Sequence, residues 1–254
     1  MKQVNDIDYP KVCLIIPCYN EAKRIDSQQY ISFLTLNPTF SLLFVNDGST
    51  DQTLTLIQEI SNSHPRAYTL SIQKNMGKGE SIRFAVLHAC SKPYDFIGYF
   101  DADLSSPLAE GLAMLAILEN TPCIDYVMGA RIAKLGNNIR REGVRHYLGR
   151  VIATFIDSFF LKINTYDTQC GAKLMRSSLA VEVFKDHFTS RWLFDVEILA
   201  RIISIYGRKK TKKMVFELPL RSWTHQEGSK LNVKDVFRIP LDFIRIKRKY
   251  GSMI

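Results

Sequence analysis

The sequence contains no run of about 18 or more apolar residues, the length that a membrane-spanning helix requires. Residues 1–9 are polar and lack the basic-then-apolar order of a secretory signal. No internal repeat and no low-complexity stretch occurs in the 254 residues. We therefore expect a globular protein without a membrane span or a secretory leader.

Two nucleotide-binding motifs are also missing. No Gly-x-Gly-x-x-Gly follows the first predicted strand, and no Gly-x-x-x-x-Gly-Lys-Ser/Thr occurs anywhere. Their absence argues against a dinucleotide-binding Rossmann domain and against a P-loop. The chain has five scattered cysteines and no Cys-x-x-Cys, which predicts reduced, buried thiols in a reducing compartment rather than disulfides or a zinc site.

Charge is unevenly distributed. The net charge is +9, yet residues 201–254 hold 14 Lys and Arg against 4 Asp and Glu, so the first 200 residues sum to −1. A basic C-terminal fifth on a nearly neutral body indicates an anionic partner at that end, either nucleic acid or an anionic membrane surface. The alternative is a solvated basic tail.

Strand and helix patterns alternate through the first half. Short apolar, β-branched runs predict five strands, at 12–17, 40–45, 68–72, 96–100 and 124–129. Helical patterns lie between them, beginning near 20–24, near 53, near 79 and at Pro107, which we expect at the first position of its helix. This α/β alternation predicts a mainly parallel central sheet with flanking helices.

Acidic residues follow three of the predicted strands, in Tyr19-Asn-Glu21, Asp47 to Asp51 and Asp101-Ala-Asp103. The carboxyl ends of parallel strands meet at one edge, where ligands of such sheets bind. Converging carboxylates are best tolerated around a cation, and Mg²⁺ or Mn²⁺ takes oxygen ligands while leaving positions for phosphate. The spacing therefore predicts a metal site at Asp101 and Asp103, the alternative being a solvated polar turn.

The second half carries two amphipathic basic segments. Residues 143–163 have an apolar stripe at helical spacing with arginines at the start, which suits either a core helix or a helix at a membrane interface. Residues 233–250 interleave apolar and basic side chains and contain Pro240, which we expect to break or kink the helix. We interpret this segment as membrane-surface binding, because no nucleic-acid reading module accompanies the charge.

Several motifs occur together and in order. They are Ile16-Pro-Cys-Tyr-Asn-Glu21, Val45-Asn-Asp-Gly-Ser-Thr-Asp51, Asn75-Met-Gly-Lys-Gly79, Asp101-Ala-Asp103, Asp167-Thr-Gln-Cys-Gly-Ala-Lys-Leu174, Arg191-Trp-Leu-Phe-Asp-Val-Glu-Ile-Leu199 and Glu227-Gly-Ser-Lys230. Over roughly residues 12–250 the chain resembles the family 2 inverting glycosyltransferases, which have the GT-A fold with its Rossmann-like sheet. The later motifs resemble the dolichyl-phosphate β-glucosyltransferase branch.

The resemblance implies a nucleotide-sugar donor, UDP-glucose in this branch, and a polyprenyl-phosphate acceptor. It implies a divalent metal, Mg²⁺ or Mn²⁺, held by Asp101 and Asp103. It places the nucleotide near a set of residues at the strand ends: Pro17, Tyr19, Glu21, Asp47 and Lys78. Ser105 stands where the related mannosyl branch has Gln, which favours the glucosyl branch.

Three further candidates come from residue chemistry. Arg131 and Arg145 suit a donor or acceptor phosphate, because guanidinium gives bidentate contacts, although each could form a surface ion pair instead. Asp195 is the best general base if the acceptor is a hydroxyl, and it could equally cap a helix at 195–206. Other residues of the motifs carry no assigned contact: Gln169, Lys173, Trp192 and Lys230.

We therefore predict one glycosyltransferase domain over 1–254, with a nucleotide-sugar half (1–131) and an acceptor- and membrane-facing half (132–254) ending in amphipathic helices. It would transfer a hexose to polyprenyl phosphate as a peripheral protein at the cytoplasmic face of a membrane. The alternatives are a soluble glycosyltransferase that acts on a glycan hydroxyl and a non-catalytic nucleotide-binding module. The sequence leaves the sugar and the oligomeric state open.

Overall fold

The computed structural model describes residues 11–140, 156–226 and 233–254. Its strands are β1 (Val12–Cys18), β2 (Phe40–Asp47), β3 (Ala67–Ile72), β4 (Phe96–Phe100), β5 (Tyr126–Ala130), β6 (Asn138–Arg140), β7 (Ala172–Arg176), β8 (Val215–Pro219) and β9 (Ser222–Thr224). Its α-helices are α1 (Ser27–Leu36), α2 (Thr53–Ser63), α3 (Lys78–Cys90), α4 (Glu110–Asn120), α5 (Ser177–Val183), α6 (Phe194–Met214) and α7 (Val233–Tyr250). A short π-helix spans Asp157–Leu161.

Seven strands form one sheet in the order β3-β2-β1-β4-β7-β5-β8, and β6 pairs with β9 in a separate parallel ribbon. Only β7 is antiparallel to its sheet neighbours, β4 and β5, among the strands that the structure describes. The predicted mainly parallel sheet with flanking helices is confirmed. The strand inserted between β4 and β5 comes from the second half of the sequence, so both halves share the sheet.

The first five strands lie within two residues of their predicted bounds. Side chains of β1 alternate between two hydrophobic layers, because successive strand residues point to opposite faces. Cys13 and Ile15 pack in the layer that includes α3 and α6, whereas Leu14 and Ile16 pack in the layer that includes α1 and α4. A strand buried on both faces is continuously apolar, which explains why the sequence pattern located it.

Two predicted helix starts are wrong. The helix expected to open at 20–24 begins at Ser27, because Asp26 caps it by accepting from the N–H groups of Gln28 and Gln29. The helix expected at Pro107 begins at Glu110. In both places the extra residues form part of the loop at the carboxyl edge of the sheet.

The C-terminal elements differ from expectation in detail. The helix predicted at 195–206 runs over α6, whose backbone is interrupted at Gly207 with a φ of 73°. Helix α7 continues through Pro240. The predicted helix at 143–163 lies outside the described residues except for its last part, the π-helix. No helix in the described ranges combines the length and the apolar character that crossing a membrane requires.

Candidate active site

The loops after β1 and β2 are joined directly. The Glu21 N–H donates to Oγ1 of Thr53 at 2.7 Å, and the Thr50 N–H donates to Oδ1 of Asn20 at 2.8 Å. Since β1, β2 and β4 are adjacent and parallel, their carboxyl ends form one edge of the sheet. We call the loops at 19–22, 47–51 and 101–105 the donor edge. The predicted convergence of the three acidic segments is confirmed.

Asp47 lies beneath the loop that leads into α3. Its Oδ1 accepts from the Met76 N–H at 2.7 Å, and its Oδ2 accepts from the Gly77 N–H at 2.9 Å and from Nδ2 of Asn75 at 3.0 Å. Burial raises the pKa of Asp47, although the two backbone N–H groups act in the opposite direction. Asp47 therefore shapes the 75–77 loop, and a role at the nucleotide remains a prediction.

Lys78 begins α3 and forms an ion pair with Asp101. Burial alone lowers the pKa of Lys78, but the nearby carboxylates of Asp101 and Asp195 outweigh burial and raise it. The Asp101 carboxylate packs against Gly171, where an added Cβ would lie only 1.9 Å from Oδ2. An added Cβ would force the Asp101 carboxylate to move, so the orientation of this carboxylate depends on glycine at position 171.

Asp103 lies on the tight turn after β4. Its Oδ1 accepts from the Ser105 N–H at 3.0 Å, and its Oδ2 lies 3.7 Å from Nη1 of Arg24. Arg24 also binds Glu21 through two hydrogen bonds of 2.6 Å. The guanidinium thus links the acidic loops after β1 and β4, which the sequence analysis did not anticipate.

We tested whether these residues suit a divalent cation. Within the described ranges, no group of three or more His, Cys, Asp or Glu side chains is arranged to hold a metal. Asp101 and Asp103 nevertheless provide carboxylate oxygens two residues apart, and Gly171 leaves room for the first of them. Mg²⁺ is commonly held by one or two carboxylates together with substrate phosphates, so the donor set fits a cation that binds with a nucleotide diphosphate.

Asp195 belongs to a buried polar cluster rather than to a helix cap. It lies just inside α6, which has no side-chain cap at its start, so the capping alternative is wrong. Its Oδ1 accepts from Oη of Tyr99 at 2.5 Å and from Nζ of Lys173 at 2.6 Å, and the residue is 4% exposed. Burial, followed by the Asp195 charge, raises the pKa of Tyr99 well above its usual value, so Tyr99 donates.

Lys173 is fully buried on β7. Besides Asp195, its Nζ donates to the carbonyl oxygens of Thr168 at 3.0 Å and Cys170 at 2.6 Å. An ammonium group has three protons, so these bonds use all of them. Lys173 therefore holds the 168–170 segment in place. We call Tyr99, Lys173 and Asp195 the buried cluster.

Arg131 follows β5 and forms a bidentate ion pair with Asp167. Its Nε and Nη2 donate to the two carboxylate oxygens at 2.7 and 2.8 Å, and its guanidinium carbon lies 5.4 Å from the ring centroid of Trp223. Burial opposes ionisation of Asp167, but Arg131 outweighs it and lowers the pKa of this carboxyl. The ion pair that was the alternative for Arg131 is present and partly buried, while phosphate binding by Arg131 remains a prediction.

Glu217 on β8 binds the backbone of the loop that contains Asp167. Its oxygens accept from the N–H groups of Tyr166 at 2.7 Å and Asp167 at 2.8 Å. Burial raises the pKa of Glu217 to about 7, even though the Asp167 N–H favours the charged form.

The remaining predicted residues are placed as follows. Pro17 lies within β1 and pairs with Val45, and Tyr19, on the donor edge, is 37% exposed. Gln169 is exposed, and Trp192 is half-buried. Arg145 and Lys230 lie outside the described residues.

Arg191 also shapes the 75–77 loop, a role that the sequence alone did not assign to it. Its side chain covers Gly77, where an added Cβ would lie 2.4 Å from Nε, and its Nη2 donates to Oδ1 of Asn75. The sequence feature that could have indicated this role is its position next to Trp192, in one of the motifs that resemble the family. For Arg24, the only signal was a basic residue three positions after Glu21.

Comparison with known proteins adds three findings. The family described as Glycosyl transferase family 2 matches residues 13–184, more than half of the chain. The sequence is 28% identical over 260 residues to a dolichyl-phosphate beta-glucosyltransferase of Trichomonas vaginalis, covering 96% of this chain and 75% of the relative. It is also 28% identical to the enzymes of that name from Saccharomyces cerevisiae (93% and 74% covered) and Homo sapiens (87% and 69% covered).

Among solved structures, the fold matches glucosyl-3-phosphoglycerate synthase from Mycobacterium tuberculosis. The TM-score is 0.68 at 15% identity, with 95% of this chain and 80% of the other covered, and that protein was crystallised with Mn²⁺, UDP and glucosyl-3-phosphoglycerate. A second structure of it, with a TM-score of 0.69 at 15% identity, contains Mn²⁺, UDP-glucose and phosphoglyceric acid; it covers 96% of this chain and 81% of the other. The likeness establishes the GT-A fold. With that fold and the match over residues 13–184, the chain is a glycosyltransferase that belongs to glycosyl transferase family 2.

Proposed function

We propose that this protein transfers glucose, with inversion, from UDP-glucose to a polyprenyl (dolichyl-type) phosphate. The proposal rests on the pair Asp101 and Asp103 at the donor edge. Lys78 forms an ion pair with Asp101, and the Asp101 carboxylate packs against Gly171. The names of the relatives support the acceptor and the sugar, and the contents of the neighbouring structures support the donor.

On the donor side, Asp101 and Asp103 would hold Mg²⁺ or Mn²⁺ together with the diphosphate of UDP. That cation supplies the positive charge that offsets the charge developing on the leaving diphosphate. Lys78 adds a fixed ammonium next to Asp101, and Asp47 fixes the loop before it. Pro17, Tyr19 and Glu21 border the space that we assign to uridine and ribose.

On the acceptor side, a phosphate is already anionic near neutral pH, so strong general-base help is unnecessary. Asp195 would act as a base only for a hydroxyl acceptor, and its hydrogen bonds from Lys173 and Tyr99 hold the carboxylate in one position. Arg131, held by Asp167, and Arg145 are the proposed contacts to the acceptor phosphate.

We also propose that α7 lies on an anionic membrane surface, at the cytoplasmic face where the free cysteines remain reduced. Leu241 and Ile244 are exposed on α7, and Lys247 and Arg248 are exposed nearby. Apolar side chains flanked by basic ones suit the boundary between lipid headgroups and acyl chains.

The test of the reaction uses labelled UDP-glucose, Mn²⁺ and polyprenyl phosphate. We expect an organic-extractable glucolipid with the β configuration, and none from the Asp103→Asn variant. Turnover only with a glycan hydroxyl would establish the soluble alternative. UDP binding without any turnover would establish the non-catalytic alternative.

The membrane proposal is tested with vesicles containing anionic lipid at about physiological salt. Lys247→Glu/Arg248→Glu should weaken sedimentation with vesicles at least about tenfold, since each basic residue near the surface contributes about 1 kcal/mol. Lys212→Glu/Lys213→Glu is the matched control, with the same charge change on exposed residues of α6. Equal weakening by both double variants would show that binding depends on net charge and not on α7, which would overturn the proposal. Unchanged binding of Lys247→Glu/Arg248→Glu would overturn it as well.

A further inference from the structure

Residues 168–171 form a short segment between Asp167 and β7, and the segment forms one wall of the candidate metal site. The Asp101 N–H donates to the Gly171 carbonyl oxygen at 3.1 Å, and the Asp101 carboxylate lies against Cα of Gly171. Any displacement of Gly171 would therefore move or release the carboxylate.

Lys173 is what holds this segment. Two of its three ammonium hydrogen bonds end on the carbonyl oxygens of Thr168 and Cys170, just before Gly171. The third ends on Asp195, which also accepts from Tyr99, two residues before Asp101 on β4. The buried cluster thus reaches Asp101 from two sides, through the backbone of β4 and through Gly171.

We propose that Lys173 is a positioning residue for the donor site: it fixes the 168–171 segment so that the Asp101 carboxylate is preorganised for a divalent cation bound with UDP. The inference rests on the proposed function, and it assigns to Lys173 a role in donor binding without contact to the substrate. A group held in place before the ligand arrives loses less freedom on binding, which is why such positioning appears as affinity.

A simple replacement of Lys173 would leave Asp195 buried without its charged partner, a change that lowers stability whatever its effect on the donor site. The double variant Lys173→Met/Asp195→Asn removes both charges while keeping similar side-chain volumes. Asp195→Asn alone keeps the Lys173 bonds to the two carbonyl groups. Arg176→Met is the matched control, because Arg176 lies on the same strand, donates to the carbonyls of Ile124 and Leu118, and pairs with the start of β4 at the far edge of the sheet.

The experiment measures UDP binding by titration calorimetry at saturating Mn²⁺, and bound Mn²⁺ by electron paramagnetic resonance, for all four proteins after circular dichroism has shown that they are folded. We expect the double variant to bind Mn²⁺ and UDP at least tenfold more weakly than wild type, Asp195→Asn to lose clearly less affinity than the double variant, and Arg176→Met to bind within about threefold of wild type.

Three outcomes overturn the inference: wild-type affinity in the double variant, an equal loss in Asp195→Asn, or an equal loss in Arg176→Met. If wild type itself fails to bind UDP with Mn²⁺, the proposed function fails instead, so the two failures are distinguishable. An unfolded double variant is replaced by Lys173→Met/Asp195→Leu, with the same expected loss.

Discussion

The donor edge and the buried cluster treat charge in opposite ways. At the donor edge, the side chains of Asp101 and Asp103 are 33% and 19% exposed, with lysine and arginine partners beside them. In the buried cluster, the side chains of Lys173 and Asp195 are 0% and 6% exposed and their bonds end within the protein. Charge that remains accessible can meet a ligand, whereas charge that is enclosed and paired fixes the backbone around it.

The difference predicts that substitutions in the two regions affect different properties. Substitution at the donor edge removes accessible groups that can bind a ligand, so activity should fall while the fold persists. Substitution of enclosed pairs leaves an uncompensated charge inside the protein, so stability should fall. The predictions below test that separation, beginning with the largest effect.

Asp103→Asn should reduce glucosyl transfer by about 10³-fold or more, equivalent to about 4 kcal/mol of transition-state stabilisation. The thermal midpoint should change by less than about 2 °C, because asparagine can replace the one backbone hydrogen bond of Asp103 and the 3.7 Å pair with Arg24 is partly exposed and long. Steady-state kinetics and thermal unfolding provide both values. Asp125→Asn, a half-exposed carboxylate paired with Arg176, is the control and should leave activity intact.

Asp167→Asn should cost about 3 kcal/mol of unfolding free energy, since it leaves the Arg131 guanidinium without its two charged hydrogen bonds. Chemical denaturation should show a lower midpoint with an unchanged slope. A variant of unchanged stability that had lost only activity would show that this pair serves ligand binding alone and would break the comparison.

Gly171→Ala tests the contact between the two regions. The new Cβ has no room beside the Asp101 carboxylate, so the carboxylate must rotate away. We expect Mn²⁺-dependent activity to fall by about 10²-fold, with a smaller loss of stability of about 1–2 kcal/mol. Gly136→Ala is a control for substitution itself, because nothing lies within 4 Å of its added Cβ, although its φ of 88° adds strain. Wild-type activity in Gly171→Ala would contradict the claim that the contact with Gly171 positions the Asp101 carboxylate for the reaction.

Glu217→Gln should remove the pH dependence that Glu217 gives to stability, on top of a pH-independent loss because the amide nitrogen cannot accept from the second N–H. Because the folded-state pKa of Glu217 is raised from about 4.5 to about 7, its favourable contribution is complete below pH 4.5 and is lost as the pH rises to about 7. The wild-type thermal midpoint should therefore fall relative to that of the variant between pH 5 and pH 7, then run parallel above pH 8. A constant difference across this range would show that Glu217 titrates normally.

The donor edge was largely predictable from the sequence, and the buried cluster was not. Strands β1, β2 and β4 are short continuous apolar runs, and their acidic residues follow directly, so parallel pairing alone brings Glu21, Asp47 and Asp101 to one edge. Local patterns and one topological rule suffice for that inference.

The partners of charged residues came from elsewhere in the chain. Arg131 was expected at a phosphate, but its carboxylate partner lies 36 positions later, and no local pattern marks the pair. Lys173 stands in the middle of a strand, where a charged residue predicts an exposed face, yet it is fully enclosed. Asp195 was predicted to be a general base or a helix cap, and no local pattern shows that Tyr99 and Lys173 donate to its carboxylate.

The antiparallel strand β7 has a consequence for the time course of folding. It pairs with β4 through residues more than 70 positions apart in the sequence, so a long loop must close before β4 gains its second neighbour. Contacts of such high sequence separation form slowly. On a ribosome, the strand that precedes Asp101 therefore emerges early but keeps an open edge until β7 has been synthesised, so the candidate site is completed only after β7 has joined the sheet.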